Sequence, residues 1–235
     1  TAITWIALVV ACATAHQWQR SLRLLSEAGS GGARPDVAAF NASLAACERA
    51  TLWSHSLALL EDMPGLRASP DVVGLSSALS SCGRAGQWPW ALRLTATMKE
   101  ASLQLDLVAH NALLSAFEKG SQWTRALQSL AAAASQHLAV DVVGANAVIS
   151  SCEKVSKWEI ALHFATDRPS SPDFVGWNAT LTACQRSTRW PASLSILEAM
   201  DSRRAASDGV SFRAAVDACA FGGAYPQLRP ILRRA

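Results

Sequence analysis

The chain is poor in the residues that do chemistry. It has one tyrosine, three methionines and five histidines in 235 residues, and only 17% of it is charged. The histidines, His16, His55, His110, His137 and His163, fall at unrelated places. No nucleophile–base set, glycine-rich phosphate loop or paired metal-ligand motif is present. No catalytic residue, metal site, cofactor or small-molecule substrate is therefore expected, and the chain reads as a binder rather than an enzyme. Long apolar runs are also missing. The best, from Ile3 to Ala15, is interrupted by Thr4, Trp5 and Thr14 and falls short of the roughly 20 residues that span a bilayer, so no membrane partner is expected. The formal charge of +3 is too mild to mark a nucleic-acid binder by itself, although the basic residues are mostly arginines, which suit planar contacts with phosphates and bases.

What the chain has instead is a period. Aspartates stand at Asp36, Asp71, Asp106, Asp141, Asp173 and Asp208, in steps of 35, 35, 35, 32 and 35 residues. Five residues after each come Asn41, Ser76, Asn111, Asn146, Asn178 and Arg213. Six further on are Cys47, Cys82, Phe117, Cys152, Cys184 and Cys219, and another six on are Trp53, Trp88, Trp123, Trp158, Trp190 and Tyr225. Ile6, Cys12 and Trp18 keep the same frame at the start. A fixed period of this length marks a repeat architecture. The repeats run 2–36 (atypical), 37–71, 72–106, 107–141, 142–173 (short), 174–208 and 209–235 (partial), in one array over 1–235. The six cysteines thus occupy one slot in different repeats, about 10 Å apart if helices stack, whereas a disulfide needs roughly 7 Å between Cα atoms. They read as small buried residues in a reducing compartment.

Each repeat reads as two helices. Val108, Ala112, Leu113, Leu114, Ala116 and Phe117 fall at helical spacing and predict a helix from about Leu107 to Lys119. Asp106 is its N-cap, and Gly120 and Ser121 end it. Trp123 opens a second apolar face with Ala126, Leu127 and Leu130, followed by a loose segment from Ala131 to Val140. The spacing of the tryptophans places them in the core. Pro35, Pro70 and Pro172 close one element before the next aspartate. Gly29, Ser30, Gly31 and Gly32 predict a flexible turn in the first repeat. The fifth repeat loses three residues at the end of its second helix, and Pro226 and Pro230 interrupt the last. Neither helix can bury its stripe alone, so the expected fold is all-α: a right-handed α-solenoid (superhelix) of stacked helix–turn–helix repeats of about 35 residues, with a concave groove. Thr1 stands in mid-repeat, so the chain is expected to be a fragment, with any targeting peptide outside it.

A 35-residue helical hairpin with Asp141-Val142-Val143-Gly144-Ala145-Asn146 and then Ala161-Leu162, echoed from Asp106 to Ala126-Leu127, resembles the pentatricopeptide repeat family. The resemblance covers essentially the whole chain, although the tryptophan opening each second helix and the rarity of lysine depart from the common pattern. It implies single-stranded RNA binding with one base per repeat, in an organelle (chloroplast or mitochondrion), in RNA processing, stabilisation or translation. Protein partners would supply any catalysis. In the family the fifth and last residues of a repeat choose the base. The pairs carried over are Asn41 with Asp71, Ser76 with Asp106, Asn111 with Asp141, Asn146 with Asp173, and Asn178 with Asp208. Asn with Asp resembles the uracil pair, with cytosine next, and Ser with Asp the guanine pair. The implied track is U-G-U-U-U from 5′ to 3′; Ile6 with Asp36, and Arg213, receive no base.

The second residues of the repeats, Ala38, Val73, Val108, Val143, Val175 and Val210, would pack against the bases; ordinary packing between repeats explains them equally well. N-capping alone also explains the aspartates. Arg49, Arg84, Lys119, Lys154 and Arg186, two residues after the cysteine slot, are expected to face phosphates, although a cation near a helix C-terminus is favoured in any case. Glu48, Glu118 and Glu153 temper that potential, and Arg203, Arg204, Arg229, Arg233 and Arg234 read as solvated surface. The alternative is a protein-interaction α-solenoid, a scaffold whose groove holds a peptide.

Overall fold

The computed structural model describes residues 2–15, 17–30, 35–66, 68–135, 141–166, 173–202, 208–224 and 226. His16, Gly31, Gly32, His137, Pro172, Arg203, Arg204, Tyr225, Arg229, Pro230, Arg233 and Arg234 lie outside them. All regular structure among the described residues is helical. The chain divides into two compact units, Thr1–Gly120 and Ser121–Ala235.

The first unit holds α1 (Ala2–Thr14), α2 (Trp18–Ser30), α3 (Val37–Arg49), α4 (Trp53–Asp62) with a 3₁₀ turn Pro64–Leu66, α5 (Val72–Ala85), α6 (Trp88–Glu100) and α7 (Leu107–Lys119). The second holds α8 (Trp123–Ser135), α9 (Val142–Lys154), α10 (Trp158–Thr166), α11 (Phe174–Arg186), α12 (Trp190–Ser202) and α13 (Gly209–Phe221). Odd-numbered helices stack on one another, α1 on α3 on α5 on α7 in the first unit and α9 on α11 on α13 in the second. Even-numbered helices cover the seams, α4 packing on α3 and α5, and α10 on α9 and α11. Phe40, Leu44, Leu79, Leu114 and Met98 fill the first core; Trp177, Leu181, Ile196 and Met200 fill the second. This is the all-α repeat solenoid that the period predicts, and α7 has the bounds read from its apolar spacing.

Two segments are more helical than expected. α2 continues through Gly29 and Ser30, and α8 through Ala131–Ser135. Extending a helix already nucleated costs little, about 1 kcal/mol for a glycine and nothing for alanine, and Ala133 is buried. The tryptophans also correct the sequence reading. Those opening the even-numbered helices are only half-buried, and Trp177 alone among the described tryptophans is fully so. They cover the turn of the following repeat: a Cβ at Gly120 would collide with Trp88 Cδ1, and Arg189 lies 5.4 Å over the Trp158 ring.

The turn between the two helices of a repeat is the same from α3–α4 to the end of α13. Its left-handed residue is Thr51, Gly86, Ser121, Ser156, Thr188 or Gly223, with φ of 57°, 71°, 55°, 56°, 53° and 71°. Gly120, at φ −80°, is not that residue; it is small because Trp88 needs the space. The next amide closes the turn by donating to the cysteine-slot carbonyl, as Leu52 does to Cys47 and Arg189 to Cys184, both at 2.9 Å. The cysteine side chains meanwhile are buried from Cys47 to Cys219 and free, and burial pushes the Cys47, Cys82 and Cys152 thiols up to about 11 and Cys184 to about 12. They pack; they do not react. A left-handed conformation costs a non-glycine residue about 1–2 kcal/mol, most for one that is β-branched. Thr51→Gly and Thr188→Gly are each expected to raise stability by about 0.5–1 kcal/mol, read as a higher midpoint in urea.

Candidate nucleic-acid interface

The first turns of α3, α5, α7, α9, α11 and α13 are built alike. The aspartate ahead of each helix is extended and accepts from an amide of the first turn: Asp36 from Ala39 N–H at 2.9 Å, Asp106 from Ala109 at 2.7 Å, Asp141 from Gly144 at 2.8 Å. The cap fixes where the chain turns into helix and therefore which residues face outward. The second residue of each repeat is on the open side. Val73, Val108, Val143, Val175 and Val210 are 56–61% exposed, and Ala38 is exposed. Ordinary packing between repeats, the other explanation for this series, would bury them. These apolar side chains stand in water at one phase of the repeat.

Beside them lie the fifth-position residues. In the first unit, Asn41 Nδ2 donates to both oxygens of Asp71 at 3.1 and 3.0 Å, and Asp71 also caps α5 through Gly74 N–H at 2.9 Å. In the second, Asn146 Nδ2 donates to Asp173 Oδ1 at 2.6 Å. The carboxylate dictates which end of the amide faces it, since a carbonyl there would be repelled. The aspartates are thus both caps and anchors. Ser76 is different: its hydroxyl is buried, has no hydrogen-bond partner, and does not reach Asp106. Asn178 meets Asp208 indirectly. Ser211 Oγ stands 2.6 Å from Asn178 Oδ1 and 2.9 Å from Asp208 Oδ1, facing two acceptors. The Asp208 carboxyl is held below its ordinary range: desolvation opposes this, and the hydrogen bonds from Ser211 and Val210 outweigh it. Asn111 and Asp141 belong to different units.

The basic series lies in the last turns of the same helices, eight residues or about 12 Å along the axis from the amides. All five residues are exposed. Several reach back to the preceding repeat. Arg49 donates to the Ala13 carbonyl and Lys119 to that of Arg84; Arg84 lies 3.6 Å from Glu48, and Arg186 3.4 Å from Glu153. These contacts compensate helix C-termini, and pairs so exposed add little stability. Burial raises the Glu48 carboxyl above its usual range against the pull of Arg84 and Arg49. Among the described residues no group of His, Cys, Asp and Glu is placed to hold a metal, and no helix is long and apolar enough to cross a membrane.

Stacked two-helix repeats with this capped, amide-bearing face have the fold of a pentatricopeptide repeat solenoid. The chain superposes on the pentatricopeptide repeat protein PPR10 in complex with an 18-nt psaJ RNA element, with a TM-score of 0.74, 24% identity, and coverage of 91% of this chain and 32% of that one. It also superposes on PPR10 from maize, with a TM-score of 0.66, 16% identity and coverage of 99% and 38%. The chain therefore spans about a third of the length of these structures. No family model and no curated protein matches it.

Proposed function

We propose that this chain binds single-stranded RNA selectively, one base per repeat along U-G-U-U-U, and serves an organelle, chloroplast or mitochondrion, in transcript processing, stabilisation or translation. The observation that carries the reading is the exposed valine series beside side chains oriented by aspartates. A base slid between two valines is sandwiched by apolar surface, worth about 1–3 kcal/mol by analogy with aromatic platforms. It then presents its edge to the fifth-position side chain. An anchored Asn amide keeps a second N–H to donate to uracil O4, while the shorter Ser76 leaves room for guanine and for Asp106 to accept its N–H groups. Arg49, Arg84, Lys119, Lys154 and Arg186 line the phosphate path in this reading. The RNA-bound neighbour of the same fold supports it. The chain acts as a binding scaffold, and protein partners bring any catalysis.

The test is a fluorescence titration with a short RNA carrying UGUUU against one with adenines at those positions, repeated over a range of salt. Tighter binding of UGUUU by about ten-fold or more is expected. If all five basic residues meet phosphates, log K falls against log salt with a slope of about −3.5, from about −0.7 per contact. Equal binding to both RNAs removes the base reading, a slope near zero removes the basic series, and no binding at moderate salt favours the peptide-binding scaffold.

A further inference from the structure

The third residue of each repeat has no role in the scheme above, yet it touches the reading pair of the repeat before it. A Cβ built on Gly74 would stand 2.7 Å from Asn41 Oδ1 and 3.4 Å from Asp71 Oδ1. The atom it displaces is the end of a side chain, so the reading amide, not the backbone, would move. Glycine in this slot is what lets Asn41 settle on Asp71. The series follows that logic through the chain. Gly74, Gly144 and Gly176 follow Asn41, Asn111 and Asn146, while Ala109 follows Ser76, which makes no such bond. Ser211 follows Asn178. It is fully buried and stands between the amide and the carboxylate, within reach of both.

A hydroxyl has one proton, so Ser211 cannot donate to two acceptors at once. The structure sets Asn178 Oδ1 and Asp208 Oδ1 both against that one proton. Turned over, an exchange of two ends of nearly equal shape, the Asn178 amide donates through Nδ2 to Ser211 Oγ and the hydroxyl donates to Asp208 Oδ1, so both contacts are satisfied. The amide end is then the same one that Asn41 and Asn146 turn toward their aspartates. Orientation matters because an amide offering N–H suits uracil O4, while one offering its carbonyl suits the cytosine amino group.

We propose that the third residue of the following repeat is a specificity-positioning residue: glycine allows the Asn–Asp pair directly, and Ser211 relays it for Asn178. This rests on the RNA reading above. Without a hydroxyl but with a Cβ, the Asn178 amide is untethered and free to turn over, and uracil loses its advantage over cytosine.

The experiment measures the Kd ratio of cytosine to uracil at the last base of UGUUU for the unaltered protein, Ser211→Ala and Ser211→Gly. Ser211→Ala is expected to lower the ratio about five-fold, the equivalent of one oriented hydrogen bond. Ser211→Gly is expected to keep it, through a direct pair, and the first base is expected to show no change in either variant. A purely structural role for Ser211 predicts the reverse order, because alanine is the better helix residue and Ala39 and Ala109 already occupy the slot. Ratios equal in all three proteins, with uracil preferred, overturn the proposal alone. An unaltered protein indifferent to that base overturns it together with the base code.

Discussion

Ser76→Asn combined with Ala109→Gly is expected to exchange guanine for uracil at the second base of the track, changing the ratio of the two Kd values by ten-fold or more. The physical reason is reach. Ser76 Oγ is buried and unbonded, short of Asp106, so the carboxylate keeps its capacity for purine N–H groups. An asparagine in that slot, as Asn41 and Asn146 show, crosses to the next aspartate at about 3 Å or less. It fills the space a purine needs and turns an N–H outward. An oriented, paired contact to a base edge is worth about 1–3 kcal/mol of discrimination, and 1.4 kcal/mol is ten-fold. Ser76→Asn alone should switch less completely, because the Ala109 methyl stands where Gly74 leaves room for Asn41. Titrations with UGUUU and UUUUU decide it: no exchange with the double variant would remove the fifth position as a reader of bases.

The largest loss of stability is expected from Gly83→Ala. A Cβ on Gly83 would be driven into the Ala112 carbonyl oxygen, with Ala112 C and Cα only 3.1 and 3.2 Å away. All three are main-chain atoms of α7, so no side chain can turn aside and α5 and α7 must separate. Overpacking of this kind costs about 1–3 kcal/mol, against a gain of about 1 kcal/mol from replacing glycine by alanine in a helix. Its net effect should be a loss of up to about 2 kcal/mol, seen as a lower urea midpoint. Spreading two odd-numbered helices would also widen the step between neighbouring bases, so UGUUU binding should weaken even where the variant is folded. An unchanged midpoint would mean that α5 and α7 have slack there.

The two variants probe different kinds of information. The period, the helix pair within it and the capping aspartates were legible in the sequence because each is set by residues close together along the chain. Apolar residues at helical spacing demand a helix, an Asp ahead of them caps it, and a hairpin that cannot bury its own stripe must stack. The reading positions came from resemblance, and the structure adds reasons that the residue types alone do not carry. Nothing in the letters distinguishes a valine on the open face from one packed between repeats; the direction set by the cap does, and it leaves Val73 to Val210 in water.

Other features were visible only as oddities. A Ser where the five preceding repeats have Ala39, Gly74, Ala109, Gly144 and Gly176 marks Ser211, but its role needs the distance to Asn178, 33 residues earlier in the chain. The basic series reads as free charge in sequence and proves tied back to the preceding repeat at Arg49, Arg84, Lys119 and Arg186. The tryptophans read as core and turn out to be half-buried lids on the next turn. In each case the deciding partner belongs to another repeat.

The sequence by itself therefore determined the unit: two helices, their caps and their apolar stripes, all consequences of local hydrogen bonding and of a period that repeats side-chain direction. Only the tertiary structure decided what each unit does to its neighbour: which amide an aspartate holds, which valine is left open, which glycine is small because a backbone passes over it. Those outcomes depend on distances of a few ångströms between residues some 30 positions apart, and such distances are fixed by stacking, not by the letters of either repeat alone.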